Sequence, residues 1–297
     1  MNPKGKPPAL AEQNIFSYYP GCTLKSSAKE YDISARLSCK ALGVELEELD
    51  NWVCCGASSA HSSNDLLAIS LPARDLRTAG EKGHPLVAAC AMCFSRLKIA
   101  SHDLQNENTG KLVSEIIGHE VQKATPVFHL LEVIDSRLEP IEVKKPLTGL
   151  KVACYYGCLL VRPKEKVAID DAENPQVMDR IMRKLGAEPV NWAFKTECCG
   201  AGLPLARPDI VHRLSHRILV QAKQAGADCL VVACPECHSN LDMFQVALRA
   251  EFNDDTNMPV VYFTQLLGLA LGLSARDMHL EKHLTDPMPV LSRRGLT

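Results

Sequence analysis

The sequence predicts an α/β protein made of two duplicated, doubly wound halves. Three observations predict it. A five-cysteine pattern occurs twice, short apolar runs stand just before each cysteine group, and helical stretches fill the gaps between them.

The cysteine pattern sets the frame. In the first half 31 residues separate Cys22 from Cys54, Cys55 follows at once, 34 residues lead to Cys90, and Cys93 closes a CxxC. In the second half 39 residues separate Cys158 from Cys198, Cys199 follows, 34 lead to Cys234, and Cys237 closes the CxxC. Both pairs continue as Cys-Cys-Gly-Ala. Two equal gaps between a cysteine pair and a CxxC mark an internal duplication.

The apolar runs are Ile15–Tyr19, Leu86–Ala89, Leu150–Tyr155 and Leu230–Ala233. Val44–Leu49 and Glu188–Trp192 lead into the cysteine pairs, and 126–128 and 259–262 supply a fourth run in each half. Short runs of this kind read as buried strands of parallel sheets. Helical patterns cover 25–42, 64–82 and 95–106 in the first half and 175–185, 208–225 and 238–252 in the second, with Gly43 and Gly186 at helix C-caps. Strand–helix alternation with such links implies βαβ units. Sites in these sheets form beyond the carboxyl ends of the strands, so cysteines far apart in sequence are expected to meet at one rim. The halves are expected at 14–137 and 149–273, joined by a linker near 138–148 rich in Pro, Lys and Glu. Residues 1–13 and 274–297 read as flexible tails.

Composition narrows the function classes. The hydrophobic share is 46% and the charged share 23%, as in folded soluble proteins. A net charge of −2 argues against nucleic acid and anionic membranes as partners. No apolar run approaches the roughly 20 residues that span a bilayer. The N-terminal stretch has no signal-peptide core, so a cytoplasmic location is expected. Thirteen cysteines in such a chain point to metal or redox work rather than to a disulfide framework.

Each half offers five thiols. Thiolates suit iron–sulfur clusters and zinc, and either a cubane cluster or a structural zinc wants four. Adjacent cysteines serve one small tetrahedral ion poorly, because their side chains diverge, but they can serve different irons. The surplus points to a site with more metal atoms than a zinc knot, while a pair of structural zinc sites stays the alternative.

The resemblance is then specific. Tyr19-Pro20-Gly21-Cys22, Cys54-Cys55-Gly56-Ala57, His129-Leu130-Leu131-Glu132, Arg162-Pro163 after Cys158, Cys198-Cys199-Gly200, Cys234-Pro235-Glu236-Cys237-His238 and the stretch 263–268 together resemble the B subunit of heterodisulfide reductase, over roughly residues 14–272. That resemblance implies two Rossmann-like CCG domains related by pseudo-twofold symmetry, each holding a noncubane [4Fe-4S] cluster. By position, Cys22, Cys54, Cys55, Cys90 and Cys93 would hold one cluster, and Cys158, Cys198, Cys199, Cys234 and Cys237 the other. It further implies reduction of a disulfide in one-electron steps at the two clusters, or, in reverse, oxidation of thiols or sulfane sulfur. The substrate would be a small thiol or disulfide, or a protein-bound thiol. The implied partners are a C subunit with cubane [4Fe-4S] clusters and a flavin-containing A subunit. No catalytic residue beyond the cluster ligands is identified. Electron-transfer subunits of glycolate oxidase or of fumarate and succinate reductases share the CCG domain, and a role without a substrate of its own is the alternative.

The remaining signals are weaker. Cys39 and Cys229 read as small buried hydrophobes. Cys154, four residues from Cys158, competes as a ligand but falls inside a strand. Cys234 to His238 fits the c-type haem attachment pattern, yet the matching Cys90–Cys93 pair has no such His. His238 reads as a capping or supporting residue. Gly200-Ala201-Gly202 reads as a tight turn rather than half a dinucleotide fingerprint. Lys25, His61 and Arg162 lie near cysteine loops, where they could meet an anionic substrate.

Overall fold

The structure, a computed structural model, describes residues 10, 12–57, 59–121, 125–139 and 141–297. In chain order the first half runs β1 (Ile15–Tyr19), α1 (Gly21–Lys25), α2 (Lys29–Ala41), β2 (Glu45–Glu48), α3 (Ser59–Ser63), α4 (Asp65–Lys82), β3 (Leu86–Ala88), α5 (Ala91–Asp103), α6 (Glu107–Ile117), β4 (Val127–His129) and α7 (Leu130–Ser136). The second runs β5 (Lys151–Tyr155), α8 (Val177–Lys184), β6 (Glu188–Pro189), α9 (Pro208–Gln224), β7 (Cys229–Val232), α10 (Pro235–Met243), α11 (Gln245–Phe252), β8 (Val260–Tyr262) and α12 (Phe263–Ala270). A 3₁₀ turn (Leu280–Lys282) and α13 (Met288–Arg293) close the chain.

Each half builds one four-stranded parallel sheet, in the orders β2-β1-β3-β4 and β6-β5-β7-β8. The chain leaves β1 toward one edge and then crosses back to β3 on the other side. The winding direction therefore reverses between β1 and β3, and again between β5 and β7. That reversal opens a crevice at the carboxyl ends of the two central strands. Register aligns those ends: Tyr19 pairs with Ala88 and Ala88 with His129, and Tyr155 pairs with Val232 and Val232 with Tyr262. The first cysteine and the CxxC of each half leave from these ends.

Of the central strands, β3 and β7 are buried throughout and β1 and β5 beyond their first residue, while the edge strand β2 reads Glu-Leu-Glu-Glu and stays partly exposed. Charges on an edge discourage further strand pairing. The expected strand 188–192 is only two residues long, because Pro189 has no N–H to continue a ladder. Helix α4 starts as its sequence requires: the Asn64 side chain accepts from Leu67 N at 2.9 Å, and Gly83 ends it in the left-handed conformation.

Several boundaries differ from expectation. Residues 25–42 hold two helices, broken where Ser26 turns back to the Thr23 carbonyl. Helices α5 and α10 begin inside the CxxC segments rather than after them, and α6 was not foreseen. The segment 274–297 was expected to be a flexible tail, and the structure corrects this. Met278, Leu280, Leu291 and Leu296 are buried, so the segment is held by apolar packing. The expected N-terminal tail lies mostly outside the described residues.

The halves pack reciprocally, as pseudo-twofold symmetry demands. Helix α2 of the first lies on α12 of the second, and α8 of the second lies on α7 of the first. On one side Ser34 and Thr264 share a 2.7 Å hydroxyl contact, Ser38 donates to the Thr264 carbonyl, and the Tyr31 and Tyr262 rings stack at 4.0 Å. On the other, Arg180 bridges to Asp135 at 3.1 Å. Among the described residues no helix is long and apolar enough to cross a membrane.

Candidate metal centre

Ten cysteines meet where the two crevices face each other. In the first half the Cys55 and Cys93 sulfurs lie 3.4 Å apart, and Cys54 contacts Cys55. In the second the Cys199 and Cys237 sulfurs lie 3.4 Å apart, and Cys158 contacts Cys198. Cys90 and Cys234 lie close enough across the junction of the halves to shift each other's thiol in opposite directions, which brings the two sets together in one layer. All ten thiols are free of disulfides. Cys22, Cys54 and Cys198 face solvent, while Cys90, Cys93, Cys234 and Cys237 are buried behind them. The layer is thus open on one side.

The local folding repeats as well. Tyr19 and Tyr155 stand three residues before Cys22 and Cys158. Tyr19 donates to the Val53 carbonyl at 2.7 Å, and Tyr155 donates to the Glu197 carbonyl at 2.6 Å. Each phenol therefore ties the first cysteine loop to the residue just before the cysteine pair. Gly21 and Gly157 follow with φ of 74° and 65°. A Cβ at Gly21 would lie 2.9 Å from the Cys93 sulfur, and one at Gly157 3.3 Å from the Cys237 sulfur. Glycine is needed there both for the left-handed backbone and for room beside the thiols.

Protons are shared unequally among the thiols: hydrogen bonds between neighbouring sulfurs push Cys54, Cys90, Cys93, Cys158 and Cys237 up and hold their partners down. Cys90 and Cys234 are the N-caps of α5 and α10, where helix amides point outward. The Gly200 amide donates to the Cys198 sulfur at 3.3 Å. Hydrogen bonds from Cys54 and Cys93 hold Cys55 down to about 3, and the Cys158 contact together with the Gly200 and Ala201 amides holds Cys198 down to about 6. Cys234 is likewise well below the usual thiol range, through hydrogen bonds from Cys237 and Cys90. Soft, closely spaced thiol donors of this number, which ionise as they take up metal, fit an iron–sulfur group.

The three remaining cysteines behave differently. Cys39, Cys154 and Cys229 are buried in a helix face and two strands, and burial pushes Cys39 and Cys229 up to about 12. Burial also raises Cys154, whose neighbours are Asp179 and Lys195 rather than Cys158.

Other sequence candidates have local partners. Lys25 pairs with Glu48 at 2.6 Å, Arg162 reaches Glu173 and the Thr196 carbonyl, and His61 lies 3.0 Å from the Ala57 carbonyl. His238 is buried against Tyr262 and His283, a supporting place as expected. Sequence reading missed Thr23 and Glu236, which hydrogen-bond at 2.7 Å between the two cysteine loops. It also missed Arg96 and Asn240, although their equal offset of three residues beyond Cys93 and Cys237 was a signal. Arg96 acts electrostatically on Cys55, and Asn240 donates to the Cys199 carbonyl at 3.1 Å. Asp75 and the Lys195–Asp179 pair had no sequence signal, since only the fold brings them behind the cysteine loops.

Comparison with known proteins agrees with this geometry. The cysteine-rich domain called CCG matches twice, over residues 16–98 and 152–242. The chain is 31% identical over 278 residues to the 8-methylmenaquinol:fumarate reductase membrane anchor subunit of Wolinella succinogenes, covering 92% of this chain and 98% of that one. It is 29% identical to the B subunit of the ferredoxin/F(420)H(2)-dependent CoB-CoM heterodisulfide reductase of Methanosarcina acetivorans, covering 94% and 96%. A protein of Archaeoglobus profundus described as like the B subunit of heterodisulfide reductase is 30% identical, with 86% and 90% covered. A hypothetical protein from Helicobacter pylori superposes with a TM-score of 0.77 at 15% identity, over 94% of this chain and 52% of that one, a likeness of fold. With two CCG domains and these relatives, the chain belongs to the family of iron–sulfur proteins that contains the B subunit of heterodisulfide reductase.

Proposed function

We propose that this chain is the iron–sulfur catalytic subunit of a heterodisulfide reductase-like complex. The observation that carries the reading is the approach of Cys90 and Cys234, near enough to perturb each other, which brings two complete five-thiol sets together across the junction of the halves. Cys22, Cys54, Cys55, Cys90 and Cys93 hold one noncubane [4Fe-4S] cluster, and Cys158, Cys198, Cys199, Cys234 and Cys237 hold the other. When bound, the two clusters supply one electron each to a disulfide, or accept one each from two thiols in the reverse direction.

The chain's own residues prepare that site. Tyr19 and Tyr155 lock the loops, Gly21 and Gly157 leave room beside the sulfurs, and helix N-termini and loop amides offset thiolate charge. Cys22, Cys54 and Cys198 give the layer a face that a small thiol or a protein-bound thiol can approach. The described residues show no flavin fingerprint, and electrons would arrive from a C subunit with cubane clusters and a flavin-bearing A subunit. The complex would work in the cytoplasm.

Anaerobic purification with metal analysis tests the reading. It predicts about eight irons per chain, four for each five-cysteine set, with reduction of candidate disulfides by an artificial electron donor. Two zinc ions and little iron would overturn it. A second reading, electron transfer without a substrate, is favoured by the fumarate reductase relative at 31% identity. It predicts full iron content with no thiol or disulfide turnover.

A further inference from the structure

Behind the second cysteine set lies a buried cluster that the cysteine chemistry does not use. His238 and Asp242 stand four residues apart on one face of α10, and the closing segment brings His283 against them. One ligand atom from each lies within 4.8 Å of the others, and all three residues are buried. We propose that His238, Asp242 and His283 form a third metal site, selective for a single zinc ion.

Hydrogen bonds fix the donors. Gln265 Oε1 accepts the Tyr262 amide at 2.9 Å, while Gln265 Nε2 donates to the Met278 carbonyl at 2.9 Å. His283 Nε2, 3.0 Å from that Oε1, must carry the hydrogen. His283 Nδ1 therefore presents a lone pair, and it faces His238 Nε2 at 2.7 Å. His238 Nε2 also lies 3.1 Å from the Val260 carbonyl, so in the metal-free pair it is the donor. Ligation moves that hydrogen to His238 Nδ1, gives up the hydrogen bonds from Nε2 to the Val260 carbonyl and to His283, and opens the nitrogen pair by roughly half an ångström, to suit metal–nitrogen bonds of about 2.0–2.1 Å.

The outer contacts of a metal site are already present. Metal-bound histidines ordinarily donate their far N–H to an acceptor, as His283 does to Gln265. Bound carboxylates are ordinarily hydrogen-bonded in turn. Asp242 accepts the Leu284 amide at 2.7 Å and the Thr285 amide at 2.9 Å. Two imidazoles and one carboxylate suit zinc. The single charge left over would lie one residue from Cys237, beside an anionic sulfur layer that offsets it. The ion would clamp the closing segment to the helix that carries Cys237.

The test is zinc analysis and zinc-edge X-ray absorption on the intact, cluster-loaded chain after incubation with excess zinc and desalting. About one zinc per chain is expected, in a shell of nitrogen and oxygen with imidazole scattering and no sulfur. His283→Ala and the milder His283→Gln should lower zinc at least tenfold while iron stays at the wild-type level. Less than a tenth of a zinc per wild-type chain, or sulfur in its shell, overturns the proposal. The wild-type spectrum decides the matter even if a variant fails to fold.

Discussion

In the first half the cysteine pair is backed by ionisable side chains, and in the second by groups that do not ionise. Asp75, twenty residues beyond Cys55, accepts the Val53 amide at 2.9 Å. The equivalent position in the second half is the buried Leu219. Arg96 acts on Cys55 where Asn240 stands near Cys199. The second half instead carries a buried ion pair one layer out: Lys195 meets Asp179 at 2.9 Å, and the Tyr156 hydroxyl donates to Asp179 at 2.6 Å. Pro20 holds the place of Tyr156 in the first half. Duplication thus preserved the donor atoms while the groups around them diverged. Two sites with one ligand pattern therefore sit in different electrostatic surroundings, and need not hold electrons equally well.

The largest effect should come from breaking one site at a time. Cys93→Ser and Cys237→Ser should each remove more than nine-tenths of disulfide turnover, because one bond needs both electrons. Activity near half in either variant would mean that the sites work independently and that the comparison between them has no functional weight.

The next effect concerns the ion pair that only the second half has. Asp179→Ala leaves Lys195 buried without its carboxylate, which ordinarily costs about 3–5 kcal/mol. Urea unfolding of the cluster-loaded protein measures it. A loss below about 1 kcal/mol would show that the second half does not depend on the pair.

Asp75 gives a pH signature that its counterpart position, Leu219, cannot give. Burial raises its carboxyl from an ordinary 3.8 to about 7, so the folded chain holds this proton more tightly than the unfolded chain. Its contribution to stability is then fully present at low pH. It falls as pH rises from about 4, and levels off above about 7, by roughly 4 kcal/mol at most. Burial also raises Glu132 to about 7, so Asp75→Asn should lessen this slope rather than abolish it, and be the more stable protein at pH 8. A wild-type profile that matches the variant's would refute the assignment.

The smallest effects should come from the thiols outside the repeat. Cys39→Ala and Cys229→Ala should keep full iron and lose about 1 kcal/mol each, from packing alone. Iron loss equal to that in Cys55→Ala would contradict the division of the thirteen cysteines.

Much of this was legible because duplication copies spacing. Equal gaps of 34 residues placed Cys55 with Cys90 and Cys199 with Cys234 at matching strand ends. The expected runs located seven of the eight strands to within a residue at each end, since buried parallel strands are written as continuous apolar stretches. Only β6 was overextended, because Pro189 stops a ladder that the stretch 188–192 otherwise suggests. The sequence by itself determined which residues end strands, which thiols follow them, and that there are two equal sets. Only the tertiary structure decided that Cys90 comes near Cys234, that Asp75 lies behind Cys55, and that residues 274–297 pack down to bring His283 onto α10. Those contacts join residues from separate elements, and no local periodicity records them. They arise when two sheets with reversed winding pack crevice to crevice, where burial and charge are set by neighbours distant along the chain.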